Sequence, residues 1–274
     1  MNPRRVCMAK LKETPLDNNR DKSEMRTPEV ELDFTNNALA SVLYRQGNTV
    51  VLACATKASS LPRWFPRDAT RGWVNAEYSL MPGSTDSRFR RERQGAKGRT
   101  MEIERLIARS LRGVVNLDEL GPLSLTVDCD ILNADGGTRC ASITAASIAL
   151  RLAIRRLIES GDCLPLQKRL EDGDIKLSPD EMREHEKAVM PNDVAAVSVG
   201  LIGDDVYLDL DYILDSNADV DMNVVMTSNG EFVEIQGTGE ESTFTGDQLT
   251  RLIDMSKKGI SNLHDFQLDL FKNI

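Results

Sequence analysis

Residues 206–239 read VYLDLDYILDSNADVDMNVVMTSNGEFVEIQGTG, and this stretch restricts the possible folds more than any other in the chain. Val206, Leu208 and Leu210 alternate with Tyr207, Asp209 and Asp211, the period of a half-buried strand. Residues 222–227 and 231–236 are two further strand segments, separated by Ser228 and the Asn229-Gly230 pair expected of a tight hairpin. Five aspartates, Asp209, Asp211, Asp215, Asp219 and Asp221, therefore crowd one strand end and its loop. Close carboxylates repel, so such a loop is either a solvated acidic turn or one given a cation or a chemical task.

A chain of 274 residues with 41% hydrophobic and 28% charged residues can bury a sizeable core. Its net charge of -9 excludes a generally nucleic-acid-coated surface, so any polyanion site must be a local basic patch. Cys7, Cys54, Cys129, Cys140 and Cys163 are odd in number, widely spaced and without a CxxC pair, which fits reduced thiols in a cytoplasm. With His185 and His264 the only histidines, a His-based zinc site or a Ser-His-Asp triad is excluded. No apolar run approaches the ~20 residues of a membrane helix. Arg4-Arg5 has no apolar stretch behind it and does not read as an export signal.

In chain order, residues 1–29 are polar and read as an N-terminal arm outside the core. Residues 40–44 and 49–56 form a hairpin, 57–72 a long connection and 73–80 a strand ended by Met81-Pro82-Gly83. Thr100 is expected to cap a helix with Ile103, Leu106, Ile107, Ser110 and Leu111 on one stripe. A strand over 123–132 leads through a glycine turn into a helix over 141–160 closed by Gly161. Residues 162–193 are charged and read as a surface insertion, with a short helix opened by Ser178-Pro179. A strand over 195–202 precedes the aspartate region, and Thr245 with Gln248 forms a capping box for a last helix that continues after Gly259. The order predicts an α+β fold, one domain over 30–274 built from βαβ-type units.

Three constellations carry possible chemistry. In Gly136-Gly137-Thr138-Arg139 a strand runs into a glycine turn and a helix start, which aims free N–H groups and the positive dipole end at one spot. It is either a plain strand–helix turn or an anion site, and Thr138 with the forked Arg139 guanidinium favours the second. GxxxxGK[ST] is absent, so nucleotide triphosphate hydrolysis is not implied. The segment RFRRERQGAKGR brings Arg88, Arg90, Arg91, Arg93 and Arg99 into an acidic protein, with Phe89 available for stacking. It is either a solvated charged loop or a polyanion contact. The aspartates do not form an EF-hand: counting from Asp215, the sixth position is Val220 and the twelfth Met226. Asp215 and Asp221 bracket a short loop and suit a hard cation such as magnesium, or proton transfer to a leaving oxygen. Together the three point to phosphate chemistry on RNA or DNA.

The segments GWVNAEYSLMPGST, GRTMEIERLIARSLR, TVDCDILNADGGTRCASIT, AAVSVG and LDLDYILDSNADVDMNVVMTSNGEFVEIQGTGE, with LTRLIDMSKKGISNL near the end, resemble the ribonuclease PH family. The match runs from about Ala40 to Leu263, interrupted near 162–193. That resemblance implies one ribonuclease PH-type domain of βαβα units in a hexameric ring, a trimer of dimers. It implies inorganic phosphate as co-substrate and the trimming of tRNA-precursor 3′ ends with release of nucleoside diphosphates. Carried over by position, phosphate binding falls on Arg99, Gly137, Thr138 and Arg139, catalysis or magnesium on Asp215 and Asp221, and RNA contact on Arg88, Arg90, Arg91 and Arg93. NNRDKSEMR lacks the glycine of the family's usual Arg-Pro-Asp-Gly-Arg opening, and 164–192 is longer than its usual connector. The rivals are a non-catalytic RNA-binding ring subunit of an exosome-like assembly and a metal-dependent hydrolase.

Overall fold

Two sheets share one helix between them. A computed structural model describes residues 20–66, 68–169, 175–239 and 242–272. Arg4-Arg5, Cys7 and the rest of residues 1–19 lie outside the described residues, as does 170–174 of the expected insertion.

The first sheet has the order β1-β2-β3-β5-β4, from β1 (Pro28–Leu32), β2 (Ala40–Gln46), β3 (Thr49–Lys57), β4 (Trp73–Leu80) and β5 (Ser124–Asn133). Antiparallel pairing holds until β4, which runs parallel to β5 and reaches it through α1 (Gly98–Arg112) and α2 (Leu117–Leu120). A parallel neighbour requires such a crossover. Helix α1 buries Ile103, Leu106, Ile107, Ser110 and Leu111, the expected stripe. At the edge strand β4, Arg112 Nη1 of α1 donates to the Val74 carbonyl at 2.9 Å, occupying one of the edge's acceptors.

The second sheet, β7-β6-β8-β9, is antiparallel and consists of β6 (Val194–Ile202), β7 (Asp205–Leu208), β8 (Val220–Thr227) and β9 (Phe232–Gly239). Helix α6 (Gly246–Lys272) covers one of its faces through Leu252, Ile260 and Leu263. The expected box is present, with Gln248 Oε1 accepting from Thr245 N at 2.8 Å and Thr245 Oγ1 from Gln248 N at 3.2 Å.

Between the sheets lies α3 (Thr138–Glu159), buried along nearly its whole length from Cys140 to Ile158. Ala and Ser positions let it approach both sheets closely, while Ile143, Ile148, Leu150 and Ile154 fill the layers. Each such side chain taken fully from water contributes about 1.5–3 kcal/mol. Helix α4 (Pro179–Val189) opens at the expected Ser178 cap, which Glu181 completes into a capping box, and docks on α3, where Arg151 and Arg155 both pair with Glu186. Helix α5 (Tyr212–Asn217) occupies the loop between β7 and β8.

The described part of the polar arm expected over residues 1–29 packs onto the fold. Pro28 and Glu29 begin β1, and Leu208 N donates to the Lys22 carbonyl at 2.8 Å, so residues 20–26 lie against β7. The strand expected to reach Asp211 stops at Leu208, because Asp209 takes a left-handed φ of 56° that ends the pleat. Among the described residues no helix is long and apolar enough to cross a membrane.

Candidate active site

The C-terminal end of β5 delivers Ala134 to Gly137 to the rim of a cleft of about 750 Å³. Gly136 (φ 71°) and Gly137 (φ 64°) make the turn left-handed, and a Cβ on Gly136 would sit 2.4 Å from the Leu210 carbonyl oxygen. Only glycine tolerates both demands. Helix α3 starts at Thr138, not at Ala141 as expected, because Gly137 serves as its N-cap. No side chain caps it, so its first-turn N–H groups are open to a ligand at the positive dipole end. Thr49 Oγ1 pins the turn from β3, donating to the Gly136 carbonyl at 2.7 Å.

Arg99 forms the facing wall. Helix α1 begins at Gly98 with Lys97 as its N-cap, so Thr100 is a first-turn residue and not the expected cap; no side chain caps this start either. Arg99, Gly137, Thr138 and Asp215 all line the same cleft. Tyr78 on β4 backs Thr138 from the adjoining depression, its Oη lying 3.0 Å from Thr138 Oγ1. Burial pushes the Tyr78 phenol up, against the Thr138 hydrogen bond and the nearby Arg99 and Arg139 charges, so it stays protonated as a potential donor. Arg139 does not line the cleft. Its Nη2 pairs with Glu102 at 3.2 Å, while its Nε is buried with no hydrogen-bond partner, a donor left for an incoming acceptor. Glu102 in turn accepts from Gln236 Nε2 at 3.0 Å, tying α1 to β9.

The arginine loop divides. Arg88 and Arg90 line the cleft, whereas Arg91 and Arg93 line an adjoining depression of about 280 Å³. Phe89 borders both. All four arginines are exposed, as a polyanion contact requires.

The five aspartates separate as sharply. Asp209 is only 3% exposed and is held by Arg26 and Arg20. Burial pushes its carboxyl up, but hydrogen bonds from Arg26 and the charges of Arg26 and Arg20 outweigh this and hold it below the ordinary carboxylate value. Asp211 caps α5, accepting from Leu214 N at 2.9 Å, and Asp219 accepts from Gly203 N at 2.7 Å. Asp215 stands exposed on α5 and faces the cleft. Asp221 lies half-buried near the start of β8. It shares a strand face with Asn223, whose Oδ1 accepts from Cys140 Sγ at 3.1 Å on the first turn of α3. The structure thus gathers Arg88, Arg90, Arg99, Gly137, Thr138 and Asp215 at one cleft, and sets Arg139 in the first turn of the helix that starts there, while Asp221 stays on β8 and lines no part of the cleft.

Sequence reasoning missed Tyr78, Arg20, Arg26, Glu102 and the exposed Tyr212 on the cleft wall. Tyr212 carried one usable signal, an aromatic next to the aspartate run. The others lay in segments read as ordinary strand, arm or helix.

Sequence models of the 3′ exoribonuclease family match this chain twice, domain 1 over residues 24–155 and domain 2 over residues 193–259. The chain is 48% identical to ribonuclease PH of Rhodopirellula baltica over 252 residues, covering 92% of this chain and 95% of that one. Ribonuclease PH of Corynebacterium efficiens is also 48% identical, covering 89% of this chain and 91% of its own. In fold the chain is similar to rice Rrp46, at a TM-score of 0.67 and 16% identity over 91% of this chain and 96% of that one. It is likewise similar to a chain of the Archaeoglobus fulgidus exosome with RNA bound to the active site, at a TM-score of 0.68 and 20% identity over 90% of each chain.

Proposed function

This chain belongs to the 3′ exoribonuclease family, and from that premise we propose that it is a phosphorolytic exoribonuclease of ribonuclease PH type. It shortens RNA from the 3′ end with inorganic phosphate as the attacking group and releases nucleoside diphosphates; the reverse reaction adds nucleotides to RNA 3′ ends. The observation that carries the assignment is the convergence of Arg99, Thr138 and Asp215 on one cleft in a chain that matches both family domains.

The chemistry required is an attack by one anion on another. Phosphate must approach the terminal phosphodiester in line, so its charge has to be offset and its orientation fixed before reaction. Arg99, Thr138, the N–H groups after Gly137 and Arg139 are the groups we assign to that task. Arg139 would turn its unpartnered Nε to a phosphate oxygen while Glu102 keeps hold of Nη2. Asp215 or Asp221 would protonate the departing ribose oxygen. Arg88, Arg90, Arg91 and Arg93 would follow the RNA backbone, with Phe89 and Tyr212 offering rings to the terminal bases. Such contacts favour single-stranded ends over sequence, and tRNA precursors are the substrate class proposed.

Carboxylate oxygens suit a hard cation, and magnesium needs only one or two of them when phosphate oxygens complete its shell. Among the described residues no group of three or more His, Cys, Asp or Glu could hold a metal alone. Asp215 and Asp221 are the residues proposed to hold magnesium, which when bound would offset phosphate charge. We further propose a homohexamer, a trimer of dimers, in which an acidic chain brings several arginine loops to one RNA. A cytoplasmic site of action fits the buried free thiols of Cys129, Cys140 and Cys163. Residues 30–274 as the catalytic unit, with residues 20–29 packed against it and 162–193 as an insertion, complete the proposal.

An RNA with a 3′ single-stranded tail, incubated with and without inorganic phosphate, tests the reading. Phosphate-dependent shortening with diphosphate products is expected; shortening indifferent to phosphate, or monophosphate products, points instead to a hydrolase. No shortening at all favours the non-catalytic ring subunit, the reading the exosome-like neighbours suggest.

A further inference from the structure

Arg26 is one of the most committed side chains among the described residues. Its Nε and Nη2 grip the two oxygens of Asp209 at 2.9 and 2.7 Å, and its backbone N–H donates to the same carboxylate at 2.7 Å. Nη1 donates at 2.6 Å to the carbonyl of Asp135, the residue that opens the glycine turn. Arg20 closes the other side, donating to Asp209 Oδ2 at 3.3 Å and to the Asp209 carbonyl at 2.9 Å. Arg26 does not line the cleft, and unlike Arg139 its guanidinium donors are already taken by Asp209 and Asp135.

Its two sets of partners belong to the two halves of the site. Asp135 precedes Gly136, Gly137 and Thr138. Asp209 precedes Leu210 and Asp211, and Asp211 caps the short helix that carries Asp215. The halves touch where a Cβ on Gly136 would meet Leu210 and Asp211, and a Cβ on Gly137 would lie 3.4 Å from Arg26 Nη2. Asp135 adds a second link, accepting from Tyr212 N at 3.3 Å. Asp209 itself sits at φ 56°, a conformation its side-chain bonds to Arg26 hold in place.

We propose that Arg26 is a positioning residue: its fork joins the anion-binding turn to the segment leading into α5 and so sets where Thr138 stands relative to Asp215. A planar guanidinium grips both carboxylate oxygens with a fixed fork while a third donor reaches the carbonyl, and the single-point ammonium of lysine does not reproduce that geometry. Displacing the turn should weaken phosphate binding while leaving the exposed arginine loop, and hence RNA binding, as it was. The idea rests on the phosphorolytic reading of the cleft, and the experiment separates the two.

The measurement compares wild type with Arg26→Lys for the KM of inorganic phosphate, the KM of a 3′-tailed RNA, kcat, and phosphate affinity by calorimetry. The expected result is a phosphate KM and dissociation constant raised about tenfold or more, with the RNA KM within twofold. A purely structural role would lower the folded fraction, reduce kcat alone and leave both KM values in place, and that outcome overturns the proposal. So does an equal shift in both KM values. If Arg26→Lys yields no folded protein, Asp209→Asn, nearly isosteric, is read by the same split. A wild type that neither binds nor uses phosphate would refute the reading of the cleft, whereas a phosphate-dependent wild type matched by its variants would refute the positioning role alone.

Discussion

Asp209 and Asp215 lie six positions apart in one acidic stretch and have opposite fates. Asp209 is buried between Arg26 and Arg20, its charge neutralised and its backbone bent to suit. Asp215 is exposed on a helix of six residues and faces a cleft lined by Arg99 and Thr138. A carboxylate enclosed by arginines holds the framework, and one presented to an open cleft is available for a substrate. Residue type is shared, and environment alone separates the roles.

The largest effect expected from breaking that contrast is on stability. Asp209→Ala leaves Arg26 buried and uncompensated, a loss of about 3–5 kcal/mol, to be read from urea midpoints. Asp215→Ala at the exposed position should stay within about 0.5 kcal/mol. Equal losses for the two variants would erase the distinction. The pair also predicts a pH signature. The Asp209 carboxyl has a lower value folded than its ordinary 3.8, so its contribution is complete above 3.8 and disappears as pH falls through the folded value. Asp209→Asn should lack that acid limb.

Next in size is catalysis. Asp215→Asn and Asp221→Asn should lower single-turnover phosphorolysis by about 10²–10³, roughly 3–4 kcal/mol of barrier, while RNA binding is spared. A fully active Asp221→Asn enzyme would remove that residue from the assignment. Arg139→Ala should raise the phosphate KM by an amount corresponding to about 1.5–3 kcal/mol, the usual worth of a charged hydrogen bond, with little change in the RNA KM.

The smallest effect concerns a buried group away from the cleft. Burial holds His185 below its ordinary 6.5 despite Glu119, and its Nε2 lies 3.5 Å from Cys163 Sγ. The unfolded chain therefore takes up a proton first as pH drops below 6.5, and stability should decline modestly from there. His185→Gln should remove part of that slope, the rest belonging to His264, also lowered by burial.

Periodicity alone located much of the fold. Trp73–Leu80, the α1 stripe, the Ser178 cap and the Thr245 capping box follow from local patterns, because alternation, caps and turn residues act over a few positions. The resemblance carried by the glycine turn and the aspartate stretch placed Arg99, Thr138 and Asp215, and these do meet at one cleft. Arg26 was invisible in the same way that Asp209 was ambiguous: their partnership spans 183 positions. Nothing in NNRDKSEMR announces a buried arginine, and the alternation before Asp209 suggested a continuing strand.

The sequence by itself determined most of the elements, though not β1, α2 or α5, together with the α+β class and the chemical types gathered for phosphate work, since each depends on neighbours along the chain. Only the tertiary structure decided which aspartate is framework and which faces the cleft, and that residues 20–26 pack against β7. Those outcomes turn on burial and on charge pairing between distant segments, where the cost of an unpaired buried charge selects one arrangement.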